Sequence, residues 1–298
     1  MLNTDYHNLQ PVFIIKPGNI SEKDAKMPND VKKTAETRKR DALGDRLKSS
    51  YENRTRILLP RRTYTVIRID GKSFHSYTRG CRRPFDENLM ADMDSTAATL
   101  CDQIAGARLA YVQSDEISLL LTDFASPQSE AWFDGNIQKI TSISASIATA
   151  HFNKVRGARG INKIALFDSR VFTIPDSMEV ENYFVWRQQD ATRNSISMTA
   201  QAHIPHKDLQ GKGCDEMQEM LFQRAGVNRN DMPAGFKRGR CAVRTVTEKD
   251  IEYTDRRTGE TALVEGFLRT SWEIVVPPIF PQDRQWLRAR IPRPASES

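Results

Sequence analysis

The sequence predicts an α+β fold, an antiparallel sheet with helices packed on it. Three observations lead there. The run Thr63-Tyr64-Thr65-Val66-Ile67-Arg68-Ile69-Asp70 is rich in β-branched residues and apolar on both faces, so it reads as a central strand ending at an aspartate. Residues 86–104 then carry Leu89, Met93, Ala97, Leu100 and Ile104 on one helical face. Two strand-like runs follow, Leu109-Ala110-Tyr111-Val112 and Ile117-Ser118-Leu119-Leu120-Leu121, flanking Gln113-Ser114-Asp115-Glu116 as a hairpin connection. Strand, helix, hairpin is the β-α-β-β opening of a ferredoxin-like sheet.

Residues 1–40 are polar, hold Pro11, Pro17 and Pro28, and show no sustained periodicity beyond Val12-Phe13-Ile14-Ile15. They read as an extension, disordered in part. From Arg38 to Tyr51 the spacing of Leu43, Leu47 and Tyr51 predicts a helix. A second long helix is expected over Glu130–Ala150, with Phe133, Ile137, Ile140 and Ile147 facing the core, before a strand over Ile164–Ile174. Later come a helix near 215–225 and strands near 241–247 and 263–276, the last two forming a hairpin around Thr254–Glu260. The chain thus divides into a basic extension (1–40), a core (41–200) and a C-terminal α+β portion with a basic tail (201–298).

The 298 residues, 39% hydrophobic and 28% charged, describe a globular protein large enough for its own core. No apolar run approaches the length of a membrane span, and Met1-Leu2-Asn3-Thr4-Asp5 lacks the start of a signal peptide, so a cytoplasmic protein is expected. Cys81, Cys101, Cys214 and Cys241 lack zinc-like spacing and read as reduced thiols. The net charge of +6 lies wholly in residues 1–62, which hold 14 basic and 8 acidic residues against 30 of each in 63–298. A neutral body with a basic arm suits a polyanionic partner, though a solvated extension has the same composition.

Chemistry concentrates in two places. Arg68-Ile69-Asp70-Gly71-Lys72-Ser73-Phe74-His75 follows a buried strand: Gly71 permits close backbone approach, and Lys72 and His75 offer donors to phosphate. It is not a phosphate-binding P-loop, because Val66 stands where that motif needs glycine. The second place is Ser114-Asp115-Glu116. Neighbouring strands would bring Asp70 and Asp115 to one edge, and two adjacent carboxylates are tolerable mainly with cations between them. Mg²⁺ takes oxygen ligands, and a pair of such ions about 3.5–4 Å apart activates a hydroxyl while bracing a phosphate.

With these residues in view, the chain resembles the tRNA-His guanylyltransferase family, and within it the guanylyltransferase-like branch of 3′-5′ polymerases. The resemblance rests on Arg68–His75, Gln113–Glu116 and Trp186-Arg187-Gln188-Gln189-Asp190-Ala191-Thr192-Arg193-Asn194, with weaker support from Gly226-Val227-Asn228 and Pro278-Ile279-Phe280. It implies a polymerase-palm-like core and a nucleotidyltransferase that extends the 5′ end of tRNA in the 3′-5′ direction. It also implies two Mg²⁺ ions on Asp70, Asp115 and the Gly71 carbonyl, with Glu116 as a third catalytic carboxylate. Gly71, Lys72, Ser73, Phe74, His75 and Ser114 would line the nucleotide site. ATP or GTP would activate a 5′-monophosphate; the 3′-hydroxyl of an incoming nucleotide would then attack it and release the nucleoside monophosphate. Where eukaryotic members carry His-Ile-Asn-Asn, this chain has Thr192-Arg193-Asn194-Ser195. That departure implies templated repair of 5′-truncated tRNA, with addition of G to tRNA-His as the alternative. A homotetramer is implied by the same likeness.

Candidate tRNA contacts are Lys154, Arg156, Arg159 and Lys163, in an acid-free stretch read as a mobile loop with Gly157 and Gly160, together with Arg187, Asn194, Lys237 and Arg238. Arg284, Arg288, Arg290 and Arg293 read as a frayed tail. The alternatives are a palm-type nucleotide cyclase, which also pairs aspartates across a β-α-β-β core, and a non-catalytic tRNA-binding module.

Overall fold

A computed structural model describes residues 41–254, 259 and 261–294; the expectations for residues 1–40 and for the tip of the last hairpin lie outside them. By its internal contacts the chain divides after Tyr51. The first unit contributes one described helix, α1 (Ala42–Ser50), whose start is capped by Asp41 Oδ1 accepting from the Gly44 amide at 3.0 Å. Leu43 and Leu47, on its expected apolar face, are exposed.

The second unit is built on one antiparallel sheet. In chain order it comprises β1 (Tyr64–Gly71), α2 (Phe74–Tyr77), α3 (Glu87–Gln103), β2 (Ala107–Gln113), β3 (Glu116–Leu121), α4 (Ile137–Ala158) and β4 (Phe167–Ile174). There follow α5 (Ser177–His203), α6 (His206–Leu209), α7 (Cys214–Ala225), α8 (Ala234–Arg238), β5 (Arg240–Thr254), β6 (Thr261–Val275) and α9 (Arg284–Arg288). The strand order β4-β1-β3-β2-β5-β6 places the four strands of a β-α-β-β-α-β unit together and adds a hairpin at one edge. The α+β expectation therefore holds.

β1 is covered on both sides, as its unbroken apolar run predicts. Ile67 and Ile69 pack with Met93, Leu100 and Phe152 beneath α3 and α4. Tyr64 and Val66 pack on the opposite face with Tyr183, Phe184 and Phe280. Alternation with a period of two sends neighbouring residues into two separate cores.

Several expectations need correction. The helix expected from Glu130 begins at Ile137, because Phe133 and Asp134 adopt left-handed backbone (φ 50° and 54°) and Asn136 caps the helix by accepting from the Lys139 amide. Phe133 is consequently exposed. The buried stripe is Ile140, Ser144, Ala148, Phe152 and Arg156, which carries α4 to Ala158, into the stretch read as a loop, of which only residues 159–163 are non-helical. The 27-residue α5 had no counterpart in the sequence reading; Asp176 starts it by accepting from the Met178 and Glu179 amides, both at 2.9 Å. The division at residue 200 runs through a single sheet, since β5 pairs with β2 from Val243↔Leu109 to Arg240↔Val112. Nor does the C-terminal arginine segment fray. Arg288 Nε bonds Glu181 at 3.0 Å, Arg284 bonds Asn182 at 3.1 Å, and Arg290 lies 3.8 Å over the Trp286 ring. The four cysteines are free thiols, as expected.

Candidate active site

β1 delivers Asp70 at its last turn of pleat. The strand pairs in register with β3 on one side and β4 on the other, setting Asp70 opposite Glu116 and Asp168. Beyond it the chain must turn sharply into α2. Gly71 makes this possible, because a Cβ there would collide with the Phe74 ring. The Lys72 amide donates to the Leu166 carbonyl at 2.8 Å, and Ser73 takes up left-handed backbone (φ 55°) as its carbonyl accepts from the Ser76 amide at 2.9 Å. Strained backbone of this sort persists only where its surroundings impose it. The turn leaves Lys72, Ser73 and His75 exposed. Phe74 is buried instead, stacked among Tyr77, Phe152 and Phe167, so it anchors the turn from below.

The β2–β3 hairpin delivers the second carboxylate. Gln113 pairs with Glu116, so Ser114 and Asp115 form a two-residue turn with Ser114 at φ 48°. Burial pushes the Asp115 carboxyl up to about 6; hydrogen bonds from Ser114 and its own amide oppose this, and the charges of Asp70 and Glu116 add to it. Asp70 itself has one guanidinium near it, Arg170 at 3.9 Å. Two carboxylates with little cationic compensation form a donor set suited to a hard divalent cation. Among the described residues no group of three or more His, Cys, Asp or Glu is placed to hold a metal. A two-carboxylate site fits Mg²⁺, which commonly relies on one or two carboxylates plus substrate phosphates.

Beside this edge opens a cleft of about 340 Å³, lined by Phe74, His75, Arg82, Ser114 and Asp115 and closed by Met198 and Gln201 of α5. His75 and Arg82, the Asp115 carboxylate and apolar walls thus meet in one place.

Glu116 does not join the pair as a free ligand. Its carboxylate receives Arg187 Nε at 2.7 Å and Nη2 at 2.6 Å, and Ser118 Oγ at 3.3 Å. The same pairing corrects the expected role of Arg187. Its side chain is 6% exposed, divided between Glu116 and Asp190, and cannot reach a tRNA phosphate. Arg156 is likewise buried, bonded to Asp92 at 3.1 Å and to the Tyr77 hydroxyl at 3.3 Å. Arg159 shares Asp92 at 2.8 Å. Lys163 donates to the Ser76 and Tyr77 carbonyls at 2.5 and 2.7 Å, clasping the end of α2. Of this group Lys154 alone is exposed and makes no side-chain hydrogen bond or ion pair among the described residues, on the last turns of α4. Lys237 and Arg238 are half-buried and spend donors on the carbonyls of Asn230 and Pro277. Asn194 is exposed on α5 and lines a smaller pocket next to the cleft.

Sequence reasoning missed Phe85, Phe236 and Met198, which line the smaller pocket together with Arg240, a residue whose cluster reads in the sequence as a tRNA contact but whose guanidinium is buried on Asp94. Phe85 and Phe236 lie 151 positions apart in the chain, with ring centroids 4.8 Å apart, so no local pattern announces them.

The chain is similar to several known proteins. The family model "tRNAHis guanylyltransferase" matches residues 45–175. A probable tRNA(His) guanylyltransferase of Dictyostelium discoideum is 28% identical over 220 residues, covering 68% of this chain and 82% of that protein. The tRNA(His) guanylyltransferase of Saccharomyces cerevisiae is 28% identical over 207 residues, covering 63% and 85%. Among solved structures, a bacterial tRNA(His) guanylyltransferase-like protein in complex with ATP aligns with a TM-score of 0.71 at 42% identity, over 83% of this chain and 98% of that one. A bacterial guanylyltransferase-like protein in complex with GTP aligns with a TM-score of 0.68 at 41% identity, over 84% and 98%. An acidic pair on adjacent strand ends, a donor-rich turn beside it and these likenesses lead to one conclusion: the chain belongs to the tRNA(His) guanylyltransferase family.

Proposed function

We propose that the protein is a nucleotidyltransferase that adds nucleotides to the 5′ end of a tRNA, in the 3′-5′ direction, using ATP or GTP. The observation that supports this reading is Asp70, in register with Glu116 and near enough to raise the Asp115 carboxyl, beside a cleft lined by Asp115, His75 and Ser114. Phosphoryl transfer asks the protein for positioning and charge neutralisation more than for covalent chemistry, and this site offers both. Two Mg²⁺ ions held by Asp70, Asp115 and the Gly71 carbonyl would supply Lewis acidity toward the reacting phosphate and the attacking hydroxyl. Lys72 and His75, exposed on the turn, hold the triphosphate; Ser73 and Ser114 offer hydroxyl donors at its flanks.

The favoured reaction is templated addition to 5′-truncated tRNA, because Thr192, Arg193 and Ser195 replace the residues that accompany addition of G to tRNA-His in eukaryotic members. A cytoplasmic homotetramer is part of the same reading; among the described residues no helix is long and apolar enough to cross a membrane. The test is a 5′-extension assay with Mg²⁺, ATP and each nucleoside triphosphate on tRNA-His and on a 5′-truncated tRNA. Template-matched addition that disappears in Asp115→Ala is the expected result. Addition of G alone, and only to tRNA-His, would overturn the templated part. No addition to either RNA, with a cyclic nucleotide formed instead, would overturn the whole.

A further inference from the structure

At the end of β2 away from the catalytic edge opens a cavity of about 360 Å³ that the proposed reaction does not use. Three arginines line it, Arg108, Arg244 and Arg290, against one carboxylate, Glu273. The fold puts each there for a local reason. In the β2–β3 ladder Ala107 pairs with Leu121 and Leu109 with Leu120, so Arg108 is the extra residue of a bulge, and a bulge re-aims the side chain it carries. β5 pairs with β2 only as far as Val243, and Arg244 is the first residue past that pairing. Arg290 follows α9, where its guanidinium lies 3.8 Å over the Trp286 ring and donates to the Trp286 carbonyl at 2.9 Å.

None of the three meets a carboxylate. Arg108 Nε donates to Thr122 Oγ1 at 2.7 Å and Arg244 Nη2 to Thr270 Oγ1 at 3.2 Å. With the Trp286 carbonyl on Arg290, every hydrogen bond these guanidinium groups make among the described residues goes to a neutral oxygen. Arg156, Arg187 and Arg240 are treated differently, for each sits on an aspartate or a glutamate. Burial, and then the charge of Arg244, push the Arg108 guanidinium down from its ordinary value. Burial also lowers Arg290, and Asp283 opposes this without forming an ion pair. Like charges gathered in a partly desolvated recess mirror the acidic pair at the catalytic edge, and they call for an anion.

A carboxylate would occupy one guanidinium fork. A phosphate offers oxygens in several directions at once, and the planar fork of arginine suits it. We infer that Arg108, Arg244 and Arg290 form a phosphate-binding site remote from the catalytic edge, and that it holds a backbone phosphate of the bound RNA. The choice of RNA rests on the reading of the protein as an enzyme of tRNA 5′ ends. Arg108 stands six positions before Ser114, which at about 3.3 Å per strand residue sets the two sites about 20 Å apart. A mononucleotide in the cleft does not span that distance. An RNA chain, with a phosphate at every residue, does.

The experiment measures binding of a 5′-truncated tRNA across a salt series and, separately, binding of inorganic pyrophosphate, on the full chain and its variants. Arg244→Met removes the exposed member of the three. It should weaken RNA binding roughly ten-fold and flatten the slope of log affinity against log salt by about 0.7–0.9, the share of one phosphate. Glu273→Gln removes the one acid and no cation, so it should tighten RNA binding without the loss of a packed arginine. In 5′ extension Arg244→Met should raise KM for tRNA and leave kcat unchanged. Weaker pyrophosphate binding in Arg244→Met, with RNA binding as in the wild type, would overturn the RNA assignment and keep a site for a free phosphate. Wild-type behaviour of both variants toward both ligands would overturn the site itself. Failure of the wild-type protein to extend any tRNA, with these variant effects on RNA binding intact, would overturn the nucleotidyltransferase reading and leave the site standing.

Discussion

Arg187 and Glu116 form a two-pronged ion pair, Nε at 2.7 Å and Nη2 at 2.6 Å from the two carboxylate oxygens, that ties α5 to the start of β3. The pair stands one residue from Asp115 and in register with Asp70. It thus separates two acidic neighbours into different jobs, one structural and one facing the cleft. Removing one partner of a buried pair leaves the other charge uncompensated. Glu116→Ala is expected to destabilise the protein by about 3–5 kcal/mol in urea unfolding. Glu116→Ala with Arg187→Met should recover much of that loss, and a catalytic-only Glu116 would show no such recovery.

Asp115 should behave in the opposite way. Its charged form is disfavoured by burial and by Asp70, so Asp115→Asn relieves repulsion in the metal-free protein. Unfolding without divalent cation should show equal or raised stability, while 5′-extension activity falls by more than a hundred-fold. A variant that loses stability and activity together would mark Asp115 as structural.

The same shift sets a pH dependence. Asp115 has a folded value of about 6, above the ordinary carboxylate value of 3.8. The folded state therefore binds this proton more tightly than the unfolded one. Its contribution to stability is fully present below pH 3.8 and is lost as pH rises through about 6. In Asp115→Asn this component of the metal-free stability profile should vanish. A divalent cation competes with that proton, so Mg²⁺ affinity should climb as pH rises through about 6 and then level.

Gly71 tests the turn. With a Cβ aimed into the Phe74 ring, Gly71→Ala must push the ring or the strand end aside, at a cost of about 1–3 kcal/mol. Nucleotide affinity should fall with it, because Lys72 and His75 ride on the displaced turn. Thermal unfolding and nucleotide binding measured on one preparation check both effects.

Arg156 separates charge from contact. It is buried against Asp92, so Arg156→Ala should lower stability by about 3–5 kcal/mol. Lys154→Ala should leave stability alone and reduce the salt slope of tRNA binding by about one unit. An unchanged melting transition for Arg156→Ala with weaker tRNA binding would reverse the assignment.

The strands and helices around Asp70 and Asp115 were legible because their apolar patterns are local and consistent: a run covered on both faces, an i, i+4 stripe, and a short polar connection, which the structure tightens to the two residues Ser114 and Asp115. The meeting of the acidic pair followed from that order, since β1 and β3 are adjacent. Local pattern did not extend to α5, whose two buried faces blur its periodicity. It also misplaced α4, where a charged residue, Arg156, occupies a core position that hydrophobicity alone assigns to a loop. The sequence by itself determined the residue types that do chemistry and the strand ends that carry them. Only the tertiary structure decided which cations are spent internally and which face the cleft, because a guanidinium's role depends on what carboxylate or carbonyl lies within 3 Å. Glu116 claims Arg187, Asp92 claims Arg156, and Asp94 claims Arg240.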